Sequence, residues 1–272
     1  MTKISIIGLG FVGNAMFKSF REKTKERDDY IINGYDKYKG GGIGELDDCI
    51  TSDIIFTALP TAYDELTCSY NNSPTIEVLD ELIKRGYNKT IVIKSTVDPL
   101  FTESLSSKYP IISFIHNPEF LTARTAYEDF HNQKHIVLGK TNNCTIDSYE
   151  LVKKMYSDLY EEANISICTS TESESMKVFC NSFYAVKIQY FNELYLLSQK
   201  LGTDFNKVVK LMINNGWINE MHTNVPGPDG KLSYGGLCFP KDTKALLEFM
   251  KKNDSTCKVL EACVCERDEM RR

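Results

Sequence analysis

The chain has 272 residues, of which 42% are hydrophobic and 25% are charged, with 16 Gly and 8 Pro. This composition excludes a disordered, collagenous or low-complexity chain, and the length is typical of two domains. The net charge of −5 argues against a nucleic-acid-binding protein, although backbone amides still allow an anionic ligand.

The cysteines indicate a reduced compartment. There are nine, an odd number, and no C-x-x-C pair occurs. The close pair Cys263 and Cys265 is only a weak indication of a zinc site. No run of about 18 apolar residues is present, and the N-terminal segment lacks a signal-peptide layout. We therefore expect a cytoplasmic protein without a bound metal and without a membrane anchor.

Strands and helices alternate in the first half of the chain, which predicts an α/β fold with a doubly wound, Rossmann-like parallel sheet. The predicted strands are short and rich in Ile and Val: Lys3–Ile7, Tyr30–Gly34, Ile54–Ala58, Thr90–Lys94 and Ile111–Ile115. The predicted helices of this half are Asn14–Arg21, Pro74–Arg85 and Asp147–Tyr160.

The second half reads as entirely helical. One long helix is predicted over Ser170–Gly202, because this stretch has no Pro or Gly before Gly202 and its apolar residues recur every three to four positions. Shorter helices are predicted over Phe205–Asn215, Asp242–Lys252 and Cys257–Arg271, with a turn-rich loop at His222–Gly236. The long helix fits a dimer axis or a helix buried in its own domain equally well. The expected domains are 1–168 and 169–272.

A G-x-G-x-x-G pattern follows the first strand and opens the first helix, as in dinucleotide-binding turns. Gly8 permits the tight turn, Gly10 lets the backbone approach a pyrophosphate, and Gly13 lets the helix pack on the strand. Asp36 stands where a carboxylate contacts the adenosine ribose, which favours NAD over NADP; Lys37 adjoins it. The other interpretation is a glycine turn retained for packing. Further candidate cofactor contacts are Phe11, Val12, Lys37, Pro60, Thr96 and Lys241.

The segment Tyr234–Asp242 reads YGGLCFPKD and contains the candidate nucleophile, Cys238. Two glycines allow the backbone to approach a ligand, and a nearby cation favours the nucleophilic thiolate. A single cysteine is more often a small buried apolar residue, so the pattern alone leaves both interpretations open.

This segment resembles the active-site segment of the UDP-glucose/GDP-mannose dehydrogenases. Four more motifs occur in the order found in that family: GLGFVG at 8–13, KSTV at 94–97, NPEFL at 117–121, and E-x-x-K-x-x-x-N at 174–181. The resemblance implies a homodimeric, NAD-dependent enzyme that oxidises a nucleotide sugar through a cysteine, in the fold predicted above with the long helix at the dimer interface.

The resemblance also implies residue roles. Cys238 attacks the aldehyde formed at C6 of the sugar, while Lys177 and Asn181 stabilise the oxyanion. Asp242 and Thr96, with a water, transfer protons, and Glu119 assists deprotonation or thioester hydrolysis. Residues 174, 177 and 181 share one helix face by spacing alone, although a solvated Glu–Lys pair gives the same pattern.

Two departures from the family pattern bear on the substrate. Family members usually continue into a third domain that binds the nucleotide of the substrate, and we do not expect this domain here. They also carry an Arg at the position of His222. The leading hypothesis is oxidation of UDP-glucose to UDP-glucuronate. The alternatives are the same chemistry on GDP-mannose or another hydroxy compound, and an NAD-binding half of a split enzyme.

Overall fold

The computed structural model describes residues 1–271, and the chain divides into two units. The first unit contains Met1–Thr61 and Asn71–Lys177. The second contains Ala62–Tyr70 and the chain from Val178 onward. The assignment of NAD binding to 1–168, and of dimerisation and the cysteine segment to 169–272, stays a prediction.

The elements are numbered in chain order. The strands are β1 (Thr2–Ile7), β2 (Tyr30–Tyr35), β3 (Ile54–Thr57), β4 (Tyr63–Asp64), β5 (Ser69–Tyr70), β6 (Thr90–Ile93), β7 (Ser113–His116), β8 (His135–Lys140) and β9 (Asn164–Thr169). The helices are α1 (Phe11–Lys23), α2 (Leu46–Ile50), α3 (Ser73–Lys84), α4 (Phe101–Lys108), α5 (Ala126–His131), α6 (Ile146–Leu159), α7 (Ser170–Leu201), α8 (Phe205–Asn214), α9 (Phe239–Lys252) and α10 (Lys258–Met270).

The first unit contains a seven-stranded sheet in the order β2-β1-β3-β6-β7-β8-β9. All five predicted strands are present, with ends that differ by at most two residues. The predicted parallel sheet is confirmed, with one exception within the described residues, because β8 runs antiparallel to β7. Strands β8 and β9 were not predicted. The apolar run of β8, Ile136–Leu138, is shorter than the four to eight residues that usually signal a buried strand.

Both faces of this sheet are covered, which explains why its strands read as continuous apolar runs. In β3, Ile54 and Phe56 belong to one core layer and Ile55 to the other. The first layer includes residues of α1, α5 and α6, and the second includes residues of α3 and α4. Phe20 of α1 makes edge-to-face contacts in the first layer with Phe56, Phe130, Tyr156 and Tyr160.

The second unit is built from helices, with one addition that was not predicted. The antiparallel hairpin β4–β5 belongs to it, and Tyr70 of β5 shares a core with Leu246 of α9 and Leu260 of α10. The described chain after β9 forms only helices and loops, as predicted. The hairpin comes from the first half of the sequence and was not predicted, because a two-residue strand carries too little pattern to detect. Helices α7 to α10 are present as predicted, with ends that differ by at most three residues; the largest difference is that α9 begins at Phe239 and not at Asp242. No helix within residues 1–271 is both long enough and apolar enough to cross a membrane.

Candidate active site

The glycine-rich turn joins β1 to α1. Gly8 has φ +88°, and a Cβ on Gly13 would lie 1.8 Å from the carbonyl oxygen of Gly8. Gly10 is the N-cap residue of α1, and a Cβ there would have no heavy atom of residues 1–271 within 4 Å beyond its chain neighbours. The helix N-terminus is thus open at Gly10 and tightly packed at Gly13. The amides of the first turn suit an anion such as a pyrophosphate.

Asp36 lies next to this turn. Its carboxylate accepts hydrogen bonds from the backbone amides of Leu9 (2.7 Å), Tyr38 (3.0 Å) and Lys39 (2.9 Å). Burial raises the pKa of this carboxyl, but the three amides outweigh burial and hold the pKa below its ordinary value. Asp36 is therefore ionised at neutral pH. Lys39 donates to the Leu9 carbonyl at 2.5 Å, whereas the predicted contact Lys37 is exposed beside the Tyr38 ring.

The ends of β3 and β6 are tied together through short polar side chains. The hydroxyl of Ser95 donates to the carbonyl of Leu59 at 2.7 Å and accepts from its amide at 3.1 Å. The hydroxyl of Thr61 donates to the carbonyl of Thr96 at 2.8 Å. These contacts place the half-buried Thr96 and the exposed Pro60 at the carboxyl edge of neighbouring parallel strands, where ligands bind in open α/β sheets.

Glu119 and Lys177 are brought together. The Lys177 ammonium lies 3.3 Å from Oε1 of Glu119 and donates to the Glu119 backbone carbonyl at 2.5 Å. The other carboxylate oxygen accepts from the amide of Leu121 at 3.0 Å. Both side chains are almost buried, with exposed fractions of 7% and 12%. The pair can therefore hold a cation and a potential base in a poorly solvated setting, where charge interactions are strong.

Glu174 has a structural task that the motif did not reveal. It is fully buried, and its two oxygens accept from the backbone amides of Leu100 (2.8 Å) and Thr102 (2.7 Å), where α4 begins. Burial raises its pKa to about 7, against the opposing effect of these hydrogen bonds. The first residue of E-x-x-K-x-x-x-N thus caps a neighbouring helix.

Asp242 is the centre of the polar cluster in the second unit. Its side chain is fully buried, and Oδ2 accepts from the amide of Asn181 at 2.6 Å. Oδ1 accepts from the Tyr70 hydroxyl and from the Lys241 ammonium, both at 2.6 Å. Donors from three elements converge on one carboxylate, so the arrangement requires an acceptor there. No sequence signal pointed to Tyr70, which lies 172 residues away along the chain.

Cys238 is exposed and is the N-cap residue of α9. Its carbonyl accepts from the amide of Asp242 at 3.0 Å, so the cysteine and the aspartate are one helical turn apart. A helix N-terminus favours a thiolate over a thiol. The preceding turn is crowded, because a Cβ on Gly235 would lie 2.5 Å from the guanidinium of Arg271. That guanidinium donates to the Ser233 carbonyl at 2.8 Å and so holds the loop before the cysteine.

Each unit thus assembles part of the predicted set. The first holds the glycine turn with Asp36, the Thr96 strand end, and the Glu119–Lys177 pair. The second holds Cys238 with the Asn181–Asp242–Lys241 cluster.

Two family profiles match the chain. The one described as the NAD binding domain of the UDP-glucose/GDP-mannose dehydrogenase family matches residues 46–162, and the one described as its central domain matches residues 171–266. The glycine turn lies before the first match, so its assignment depends on its own geometry.

Relatives and solved structures agree with these matches. The chain is 35% identical over 179 residues to UDP-glucose 6-dehydrogenase of Rickettsia felis, covering 64% of this chain and 38% of that protein. It is 26% identical over 276 residues to the enzyme of that name from Campylobacter jejuni, covering 90% and 67%. A UDP-glucose dehydrogenase structure from Pyrobaculum islandicum superposes with a TM-score of 0.84 at 23% identity, over 99% of this chain and 68% of that one. The chain thus spans about two fifths to two thirds of these relatives.

The buried Glu174 predicts a pH-dependent stability. Its pKa is higher in the folded chain than the ordinary value of 4.5, so its contribution is fully present below about pH 4.5 and is lost as the pH rises through about 7. The stability advantage of the unmutated chain over Glu174→Gln should shrink by roughly 2–3 kcal/mol between pH 5 and pH 8. Urea unfolding at the two pH values measures this difference.

Glu172→Gln is the matched control, two residues away on α7. Its carboxylate accepts from the Thr169 amide at 2.8 Å, which lowers its pKa below 4.5. Its contribution is lost only as the pH falls through that lower pKa, so its effect should be equal at pH 5 and pH 8. A Glu174→Gln effect that is likewise independent of pH would contradict the assignment.

Proposed function

Because the chain belongs to the UDP-glucose/GDP-mannose dehydrogenase family, we propose that it oxidises a nucleotide sugar with NAD, with UDP-glucose to UDP-glucuronate as the leading reaction. The observation that carries this proposal is the placement of Cys238 at the start of α9, one turn before Asp242, whose buried carboxylate accepts three hydrogen bonds. A dehydrogenase that stops at an aldehyde has no need of a nucleophilic cysteine.

The glycine turn fits the cofactor. The open space at Gly10 and the first-turn amides of Phe11, Val12 and Gly13 suit the pyrophosphate, and the ionised Asp36 suits ribose hydroxyls. A carboxylate at this place repels a 2′-phosphate and favours NAD over NADP. When bound, NAD supplies the hydride acceptor. We assign Pro60, Thr96, Lys37 and Lys241 as further contacts.

The reaction must balance four electrons. The primary alcohol at C6, two NAD⁺ and one water give a carboxylate, two NADH and three protons. After the first hydride leaves, the Cys238 thiolate adds to the aldehyde and forms a tetrahedral thiohemiacetal, from which a second hydride can leave. The resulting thioester is hydrolysed by water, which restores the thiolate.

The remaining residues stabilise the developing charge and transfer protons. The amide of Asn181 and the ammonium of Lys177 stabilise the oxyanion on the tetrahedral carbon; one such donor contributes about 3–4 kcal/mol. Asp242 and Thr96 transfer protons by way of a water, and Glu119 activates the water that hydrolyses the thioester. The nearly buried Glu119 suits a base, because its carboxylate is poorly solvated.

The stoichiometry tests the reaction directly. With UDP-glucose and NAD, the chain should form two NADH per sugar consumed, and Cys238→Ser should lower steady turnover to the acid by roughly 1,000-fold, because a serine hydroxyl is a weak nucleophile without an adjacent base. The measurement is NADH absorbance combined with product analysis. Cys265→Ser, at another exposed cysteine, is the matched control and should keep full activity.

Two results would redirect the proposal. Undiminished acid formation by Cys238→Ser would exclude the covalent step. Measurable NAD binding without NADH formation would favour GDP-mannose or another hydroxy compound as substrate, or a separate chain that completes the enzyme.

Two glycine variants separate cofactor binding from folding. Gly10→Ala should keep the stability of the chain, because its Cβ meets open space, but should weaken NAD binding about tenfold by obstructing the pyrophosphate. Gly13→Ala should lower the free energy of unfolding by at least about 2 kcal/mol, because its Cβ would overlap the Gly8 carbonyl. Calorimetric titration with NAD and thermal unfolding distinguish the two. Equal NAD affinity in Gly10→Ala would place the pyrophosphate elsewhere.

We further propose that the chain forms a homodimer through α7. Five apolar side chains on this helix are half to two-thirds exposed and recur at intervals of 4, 7, 7 and 4 residues: Phe179, Phe183, Tyr190, Leu197 and Leu201. These intervals place them on one face of the helix. A continuous apolar stripe of this length is typical of a protein–protein interface, and a second copy supplies the same stripe across a two-fold axis.

Light scattering after size-exclusion chromatography tests this interface. The chain should elute at twice its mass, and Phe183→Glu should elute at the monomer mass, because a carboxylate in the stripe is left desolvated and unpaired. Gln199→Glu places the same charge at an exposed position on the opposite side of the helix and should remain dimeric. A monomeric unmutated chain would refute the interface.

A further inference from the structure

Two buried ammonium groups hold consecutive carbonyls of the NPEFL segment. Lys177 binds the carbonyl of Glu119, as described above. Lys94, at the end of β6, is only 2% exposed, and its ammonium donates to Oδ1 of Asn117 at 2.9 Å and to the carbonyl of Pro118 at 3.3 Å. Residues 117, 118 and 119 thus each present an oxygen to a lysine. The roles proposed above include Lys177 and leave Lys94 without a task.

The Lys94 contacts are not interchangeable. Asn117 is anchored independently, because its side-chain amide donates to the Val137 carbonyl at 2.7 Å and its Oδ1 also accepts from the Tyr156 hydroxyl. Pro118 has no N–H, so its carbonyl is the only backbone group that can hold this residue in place. The Lys94 ammonium donates to that carbonyl. Among residues 1–271, Lys94 is thus the donor that holds the backbone carbonyl directly before Glu119.

The surroundings of Lys94 disfavour its charged form. Burial lowers the pKa of Lys94 against the opposing charge of Glu119, and with a smaller contribution from the Lys177 charge the pKa is about 7. His116 on the neighbouring strand is also fully buried, which lowers its pKa to about 3 and keeps it neutral. A buried lysine usually stabilises the fold less than an apolar side chain of equal size. Its presence here therefore indicates that the charge has a task.

We propose that Lys94 is a positioning residue, whose ammonium holds the Pro118 carbonyl and thereby fixes the backbone from which the Glu119 carboxylate projects. Its effect on turnover rests on the proposed function, since Glu119 there activates water. Its effect on the geometry of residues 117–121 does not.

Hydrogen exchange tests the geometry without any substrate. Lys94→Met keeps the length and loses the ammonium, so amide exchange within residues 119–122 should accelerate at least about tenfold, while the strands of the sheet keep their protection. Lys89→Met is the matched control, because Lys89 lies just before the same strand and forms an exposed ion pair with Asp53 at 2.8 Å. Unchanged exchange within 119–122 in Lys94→Met would overturn the proposal.

Kinetics then test whether Lys94 acts through Glu119. In Lys94→Met, kcat should fall about 10- to 100-fold with little change in NAD affinity, as expected when a reacting group is displaced. In a Glu119→Gln background the same substitution should cost less than about threefold. Equal losses in both backgrounds would show that Lys94 does not act through Glu119.

Two further results keep the test decisive. If Lys94→Met does not fold, Lys94→Gln retains a polar side chain that is too short to span both acceptors, and it should show the same exchange and kinetic pattern. If the unmutated chain oxidises no nucleotide sugar, the proposed function fails, while the exchange measurement still decides whether Lys94 positions residues 117–121.

Discussion

A charged group can be taken out of water only where partners replace its hydration, and this constraint shapes the polar regions of both units. In the first unit, Lys94 and Lys177 are buried against carbonyls and the Glu119 carboxylate. In the second, Asp242 is buried against three donors. Each charge requires its neighbours to stay in place, because an unpaired buried ion is far less stable than a paired one. The ion pairs and hydrogen bonds that stabilise the buried charges thus also hold the candidate catalytic side chains in place.

The sheet supplies the second constraint. Its parallel strands end at one edge, and the segments that follow β1, β3, β6 and β7 carry the glycine turn, Pro60, Thr96 and the NPEFL segment. Core layers on both faces leave this edge as the place where strand ends can meet a ligand. The hydrogen bonds that the Ser95 and Thr61 hydroxyls form at this edge go to backbone groups of Leu59 and Thr96. They hold the ends of β3 and β6 together and leave the edge open to a ligand.

The catalytic proposal follows from chemistry as much as from resemblance. Removal of a second hydride requires a tetrahedral carbon, and a thiolate provides one at the aldehyde stage. An exposed cysteine at a helix N-terminus, followed by a buried carboxylate one turn later, is an arrangement suited to that step. The Arg271 contact with Ser233 adds a local reason for the loop before the cysteine to keep its shape.

Much of the fold was predictable from the sequence, because its signals are local. The Ile- and Val-rich runs of β1, β2, β3, β6 and β7, and the uninterrupted periodicity of α7, depend on neighbours a few residues away, as does the glycine turn before α1. Weak local patterns failed. The three-residue apolar run of β8 and the two-residue strands of the hairpin gave no clear signal, and the direction of β8 against β7 is a property of the assembled sheet.

Local sequence patterns predicted five of the strands, the longer helices, the dinucleotide-type turn and the motifs that contain the candidate catalytic residues. Tertiary structure alone decided which distant groups meet. Tyr70 reaches Asp242 from a hairpin far away in the chain, Glu174 caps α4, and Lys94 binds Pro118. The physical reason is that hydrogen-bond partners of a buried charge are selected by position in the folded chain, and no local pattern records a contact between residues that are far apart in sequence.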